Sequence, residues 1–540
     1  MSAPITDRPA SRTTRADANP TVEGAPDPRR WWALATIALG VSLVIMDATI
    51  VNVALPVVIG ALSLDATTAE WMNAIYALVF AGLLLSTGRL GDVRGRRRTF
   101  ALGMGIFIAA SVAAGAATSG AMLVSARAVQ GVGAAMILPT TLSTMNALFH
   151  GRERGIAFAV YGSTIGGMAA FGPLVGGWLA TDVSWRWAFW LNIPFGLLAL
   201  LGILRFIPET RDPVSDGGFD VWGAVLSAVA MSGLVFALIE GAHYGWWRQT
   251  SGALSPVPVA LALALVAAVV FARHVTRRVR AGRSALVDPH LFGIPTLRYG
   301  VIAAGIVAFG EFGLMFVLPL LLEGTLGYSA LGAGWMLVSL AAGAFLASGM
   351  TPQLTAALGQ RTVVRIGLAS EAFAVAGLAW FVSPTVAGWV LAVCLFIYGL
   401  GVGMATAQLS SLIMSDVPRA QGGQASGVQS TIRQVGSALG IALLGTLLVT
   451  SLGSGLDSRL ADAGMPVSAR VPLVELVRGS AGAGIPALDR MPDAAQVAPA
   501  AREAMVAASR TTMEFATAAL LLGLLATLAL PRPESPRPEQ

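Results

Sequence analysis

Apolar residues in this chain fill long, nearly uninterrupted blocks. They do not recur at the spacing of a half-buried helix or the alternation of a strand. Most blocks run about 18 to 25 residues, the length a helix needs to cross a bilayer. Block by block they predict fourteen spans, at 32–56, 71–88, 99–117, 121–147, 155–180, 187–206, 219–241, 255–273, 298–322, 328–350, 362–382, 386–412, 425–450 and 511–530. The N-terminal stretch 1–28, rich in Pro, Thr, Asp and Arg, is expected to be disordered. The first apolar block is too long for a cleavable signal and carries no clear cleavage site. Between spans 13 and 14 lies a long polar segment, 451–510, whose Ala-rich part 494–510 is expected to form a surface helix. The predicted class is an all-α polytopic membrane protein.

Composition agrees. Hydrophobic residues make up 55% of the 540 positions and charged residues only 12%, half the share of a typical soluble domain. The net charge of +6 comes from arginine alone, because the chain has no lysine. That bias points to a high-GC bacterium. No basic patch interleaved with aromatics supports a nucleic-acid partner. A single cysteine, Cys394, lies inside span 12, and the four histidines fall in loops without metal spacing, so neither a disulfide nor a metal site is expected.

Arginine also sets the orientation. Arg89, Arg94, Arg96, Arg97, Arg98, Arg152, Arg154, Arg205, Arg211, Arg273, Arg277, Arg278, Arg280, Arg283, Arg298, Arg361, Arg365 and Arg419 follow even-numbered spans, whereas the short loops opposite hold little beyond Arg186 and Arg248. The positive-inside rule puts both termini in the cytoplasm of a plasma-membrane protein. Segment 451–510 carries six arginines on the outer side, but its length is near the limit where charge stops deciding translocation.

A weak repeat relates the halves: Gly95-Arg96-Arg97 after span 2 matches Gly359-Gln360-Arg361 after span 10, with Ala356 at the offset of Asp92. The expected organisation is a tail (1–30), a six-helix bundle (31–206) and inserted spans 7 and 8 with linkers (207–297). A second six-helix bundle (298–530, including 451–510) and a tail (531–540) complete it. Repeats of this kind place substrate at their interface near mid-membrane.

Several motifs stand at set places on these spans. GRLGDVRGRRR (88–98) puts Asp92 among five arginines and three glycines in a short turn; MDATIVNVALP (46–56) lies in span 1 and RAVQGVGAA (127–135) in span 4. GGMAAFGPLVGG (166–177), WRWAFWLNIPFG (185–196) and QASGVQSTIRQVGSALGIALLGT (424–446) follow. Together they resemble the signatures of the fourteen-span drug:proton antiporter family of the major facilitator superfamily, over roughly residues 31–450. The resemblance implies a major facilitator fold, alternating access, and proton-driven export; the family associates the 166–177 pattern with exporters.

Asp47 lies about 16 residues into span 1 and Arg127 about 6 into span 4, which at roughly 1.5 Å per residue puts both about 20–24 Å from the cytoplasmic side. Unpaired, each would cost roughly 2.5–3.5 kcal/mol or more in the membrane interior. The pair is either a structural salt bridge or a proton site in which Asp47 titrates; the resemblance favours the second, because the matching helices line the family's cavity. Glu311 in span 9 is a further proton candidate. Glu371 in span 11 is expected to be structural, paired with Arg433 in span 13.

Gly172, Pro173 and Gly176 form a small-residue seam with a kink. Gly88, Asp92, Arg96 and Arg433 are expected to act in gating, with Asp92 accepting hydrogen bonds from the amino end of span 13. Met46, Asn52, Gln130, Phe312, Met315, Phe316, Met404 and Gln408 are expected on the cavity wall, where methionine and aromatic rings adapt to varied ligands.

No phosphate-cradling loop or soluble ATPase domain is present in the sequence, so the expected energy source is the proton gradient, without cofactor. No catalytic constellation suggests an enzyme. The expected function is proton-coupled efflux of hydrophobic or cationic drug-like molecules by a monomer among membrane lipids. The alternative is a dedicated exporter of an endogenous metabolite or lipid, such as a self-made antibiotic.

Overall fold

In the structure, a computed structural model, residues 29–64, 66–211, 219–244, 246–247, 254–491 and 494–529 are described. The helices are α1 (Arg30–Leu62), α2 (Ala66–Arg94), α3 (Arg96–Gly115), α4 (Gly120–Leu148), α5 (Gly151–Trp178), α6 (Asn192–Phe206), α7 (Val221–Tyr244) and α8 (Pro256–Arg280). They continue with α9 (Pro295–Gly324), α10 (Ala330–Leu358), α11 (Gln360–Phe381), α12 (Gly388–Ile413), α13 (Gly422–Asp462) and α14 (Ala494–Ala526). Residues 1–28 and 531–540 of the expected tails lie outside the described residues, and Arg30 already begins α1.

Among the described residues, twelve helices are long and apolar enough to cross a membrane, and thirteen when the bent α10 is counted as one span. α10 bends by 47° between Leu331–Ala347 and Gly349–Leu358. Pro352 accounts for the place: it cannot donate to the carbonyl four residues earlier, at residue 348, and its ring pushes that carbonyl away. The fourteenth span rests on α14, whose helical apolar run ends at Ala526. It nevertheless packs along α9, α11 and α13 and completes the second bundle.

Helices α1–α6 form one bundle and α9–α14 the other. They meet where α5 runs along α10 and α12, and where α13 lies against α2 and α4. The inserted α7–α8 hairpin packs on the outside of α2 and α13. Ala81, Val235, Leu238 and Ala438 form its seam, while α8 leaves Val259, Leu263, Leu265 and Val266 exposed, as suits a lipid-facing helix. Glu240, near the end of α7, is buried. His274, expected in a loop, lies on α8 and bonds Asp220 at 2.9 Å.

Two elements differ from expectation. Segment 88–98 is not an open turn: α2 continues to Arg94, and Gly95 alone, at φ +109°, redirects the chain into α3. Gly359, at φ +81°, does the same between α10 and α11, so the repeat is one of backbone geometry. Segment 451–510 is not a loop. α13 has 41 residues, about 60 Å at 1.5 Å per residue, twice the hydrocarbon thickness. Its projecting end joins the start of α14 and helices Val467–Gly479 and Ile485–Leu488 around a small core that includes Leu452, Leu456, Leu460, Val477, Ile485, Val497 and Met505.

Candidate functional site

The centre of the first bundle holds a closed polar network. Asp47 and Gln130 are wholly buried, and Arg127 is 1% exposed. Nη1 of Arg127 stands 2.5 Å from Oδ2 of Asp47 and 2.8 Å from Oε1 of Gln130. Nε2 of Gln130 and Nδ2 of Asn192 both donate to Oδ1 of Asp47 at 2.9 Å. The same amides reach Ser111 Oγ at 2.8 and 3.3 Å. The guanidinium lies 4.2 Å from the ring centroid of Tyr76. The predicted acid and base are therefore in contact. Gln130, expected on the cavity wall, helps hold them instead. Asn192, Ser111 and Tyr76 were not predicted; the one usable signal was the lone amide in the motif 185–196.

In the second bundle, Glu311 accepts from Thr406 Oγ1 at 2.8 Å and pairs with Arg433 at 3.5 Å. Arg433 is thus the partner of Glu311 rather than of Glu371, as expected from depth alone. Depth fixes only the position along the membrane normal; which helix faces which is a matter of packing.

The third cluster joins the halves at the arginine-rich end. Asp92 is wholly buried. Its Oδ1 accepts from Arg96 Nη2 at 2.8 Å, Arg96 Nε at 3.2 Å and Gly423 N at 2.9 Å; Oδ2 accepts from Gln424 N at 3.0 Å. α13 begins at Gly422 and has no side-chain cap of its own. Asp92 caps it from the other half, satisfying two amides that a helix start leaves open. The approach needs glycine on both sides, since a Cβ at Gly88 would strike the carbonyl oxygen of Gly423. Ser426 Oγ adds a 2.8 Å bond to the carbonyl of Pro139, and Arg154 donates to Ser411 O at 2.9 Å. Glu209, not predicted, accepts from Arg97 N at 3.1 Å at the start of α3.

The α5 glycines serve two faces. Gly172 and Gly176 lie on α1, where added Cβ atoms would meet Thr49 and Ile50. Gly162, Gly166 and Gly167 face Ala407, Val402 and Phe345 of the second bundle. Replacing Gly172 with valine should therefore force α1 from α5 and lower thermal stability by about 1–3 kcal/mol. Gly105→Ala serves as the control, because nothing lies within 4 Å of a Cβ there. Equal melting temperatures for the two variants would remove the close-packing role.

The remaining predicted wall residues take several different environments. Met46 is buried in the first core. Met404 packs on Ala347 and Val363, and Gln408 is wholly buried. Phe312 and Met315 are half-buried, Phe316 is exposed, and the side chain of Asn52 lies outside the described residues.

Comparison with known proteins agrees with this arrangement. The Major Facilitator Superfamily model matches residues 37–239 and 219–441. A puromycin resistance protein of Streptomyces alboniger is 36% identical over 429 residues, covering 78% of this chain and 82% of the relative. A multidrug efflux pump of Mycolicibacterium smegmatis is 32% identical over 444 residues, covering 81% and 85%. The crystal structure of the human organic anion transporter MFSD10 superposes with a TM-score of 0.59 at 14% identity, covering 93% of this chain and 99% of that one. With two bundles joined at one end by a trans-acting helix cap, and with sequence matches over most of its length, the chain belongs to the major facilitator superfamily.

Proposed function

We propose that this transporter exports hydrophobic or cationic antibiotics and drugs across the plasma membrane by alternating access, driven by inward proton flow. The observation that carries the reading is the buried Asp47–Arg127 pair, an acid and a base enclosed inside the first bundle, where ionisable groups are costly and mark proton or ion pathways. The export-associated relatives, a resistance protein and an efflux pump by name, support the direction of transport. In this reading the arginine-rich end faces the cytoplasm, as do both termini, and the Asp92 cap closes the inner gate. Asp47 with Arg127, and Glu311 with Arg433, bind and release the coupling protons.

The energetics suffice. An inward proton yields about 2.3 kcal/mol per 100 mV and about 1.4 kcal/mol per pH unit. One proton thus sustains an outward drug gradient on the order of a hundredfold.

The test is ethidium efflux from proteoliposomes holding the purified protein, with and without an imposed pH gradient. Efflux several-fold faster with the gradient, and lost on adding a protonophore, is the expected result. Equal rates in both conditions would remove proton coupling. A second reading, a dedicated exporter of one antibiotic, is favoured by the puromycin resistance relative. It predicts gradient-driven movement of puromycin and none of ethidium.

A further inference from the structure

Glu371 on α11 is wholly buried, and neither of its carboxyl oxygens finds a hydrogen-bond partner among the described residues. Its place is built rather than incidental. At Gly401 of α12 a Cβ would fall 2.8 Å from Glu371 N and 2.6 Å from its Cγ, so glycine lets α11 press this residue into the bundle. There the charged and polar groups of three other helices act on it. The Glu311 carboxyl of α9 and the Arg433 guanidinium of α13 lie within electrostatic reach of Glu371. The buried hydroxyl of Tyr398 on α12 feels both acids and has no hydrogen-bond partner among the described residues.

The other elements packed here add little charge. α10 carries no ionisable residue between Ala330 and Leu358. α14 turns Arg510 to the carbonyls of Ala379 and Val382, further along α11. Tyr161 of α5 is the group from the other half that Arg433 reaches electrostatically.

Two carboxyls thus lie in the field of one guanidinium, and only Glu311 is paired with it, at 3.5 Å. Two like charges in one buried site do not both persist beside a single cation, and their titration belongs to the pair. We propose that Glu311, Glu371 and Arg433 form a neutral centre holding one exchangeable proton, with Glu371 as its unassigned proton-binding member. The inference rests on the proton-coupled reading above and adds Glu371 to the second of its two proton sites.

In the arrangement seen, Arg433 neutralises Glu311 and the proton resides on Glu371. When Arg433 swings to Glu371, the O–H bond of Glu371 breaks and its proton leaves. Glu311, losing its cation, takes up one proton. The centre begins and ends with one proton and no net charge.

The Arg433–Glu311 pair leaves room for the swing: it is loose, at 3.5 Å, against 2.5 Å for Arg127–Asp47.

Infrared spectroscopy of the purified full-length protein tests this apart from transport. Wild type should show one C=O stretch of a protonated carboxylic acid at neutral pH, shifted on deuterium exchange. Glu371→Gln should remove it, and Glu371→Asp should keep it at a changed frequency. Glu311→Gln should remove it as well, because Arg433 is then left to neutralise Glu371. Arg433→Gln should double it, since both acids then hold protons. A purely structural Glu371 predicts none of this cross-dependence. Absence of the band in wild type, or its survival in either glutamine variant, overturns the proposal. If the band behaves as expected but proteoliposomes show no gradient-driven export, the centre stands and the antiport reading falls.

Discussion

Replacing Asp47 with asparagine should abolish gradient-driven export, a fall of at least tenfold, while Asp47→Asn combined with Arg127→Gln should restore stability without restoring export. The single variant leaves Arg127 buried without its counter-charge, and breaking a buried pair from one side costs about 3–5 kcal/mol. Asparagine keeps the shape but turns an acceptor of three donors, from Arg127, Gln130 and Asn192, into a group that also donates. Removing both charges eliminates that cost, because a buried pair replaced as a unit is often neutral for stability. The two measurements, melting temperature and proteoliposome efflux, separate the roles of the pair. Recovery of export in the double variant would make the bridge structural and leave coupling to the second bundle.

Asp92→Asn should open the arginine-rich end. Four hydrogen bonds converge on this carboxylate, two of them from amides of the opposite half. Bonds to a charged acceptor are worth roughly 1.5–3 kcal/mol each. In the alternating-access reading the amides of Gly423 and Gln424 leave Asp92 when the halves part, so losing these bonds weakens the closed state. A shift of about 2 kcal/mol changes the ratio of open to closed roughly thirtyfold. A cysteine at Ser426, buried in that interface, with Cys394 replaced, should then be labelled by a maleimide on the order of thirty times faster than with Asp92 intact. Export should fall at least tenfold. Unchanged labelling would mean the cap does not govern closure.

Much of this architecture could be read from the chain. The apolar blocks placed thirteen of the spans in order, and an aspartate and an arginine at one calculated depth proved to be partners. The contact of Asp92 with the start of α13 was also legible, since the amino end of a helix favours an anion. The reading of 451–510 as a loop missed a signal that was present: Leu452, Leu456 and Leu460 recur at helical spacing and mark one buried face. Hydropathy averaged over a span-length window dilutes such a stripe.

Other features had no signal in one dimension. Arg433 could be matched to Glu371 by depth, yet it pairs with Glu311, and Glu371 is pressed into the bundle because glycines let α11 and α12 approach. Asn192 and Ser111 join Asp47 from helices distant in sequence. By itself the sequence determined that this chain crosses a membrane many times, where it turns, and which charges lie inside, because hydrocarbon imposes length and polarity on every segment separately. Which of those charges meet was decided only by the tertiary structure. Rotation of each helix about its axis, and its distance from its neighbours, depend on how side chains and glycines on several helices fit together at once.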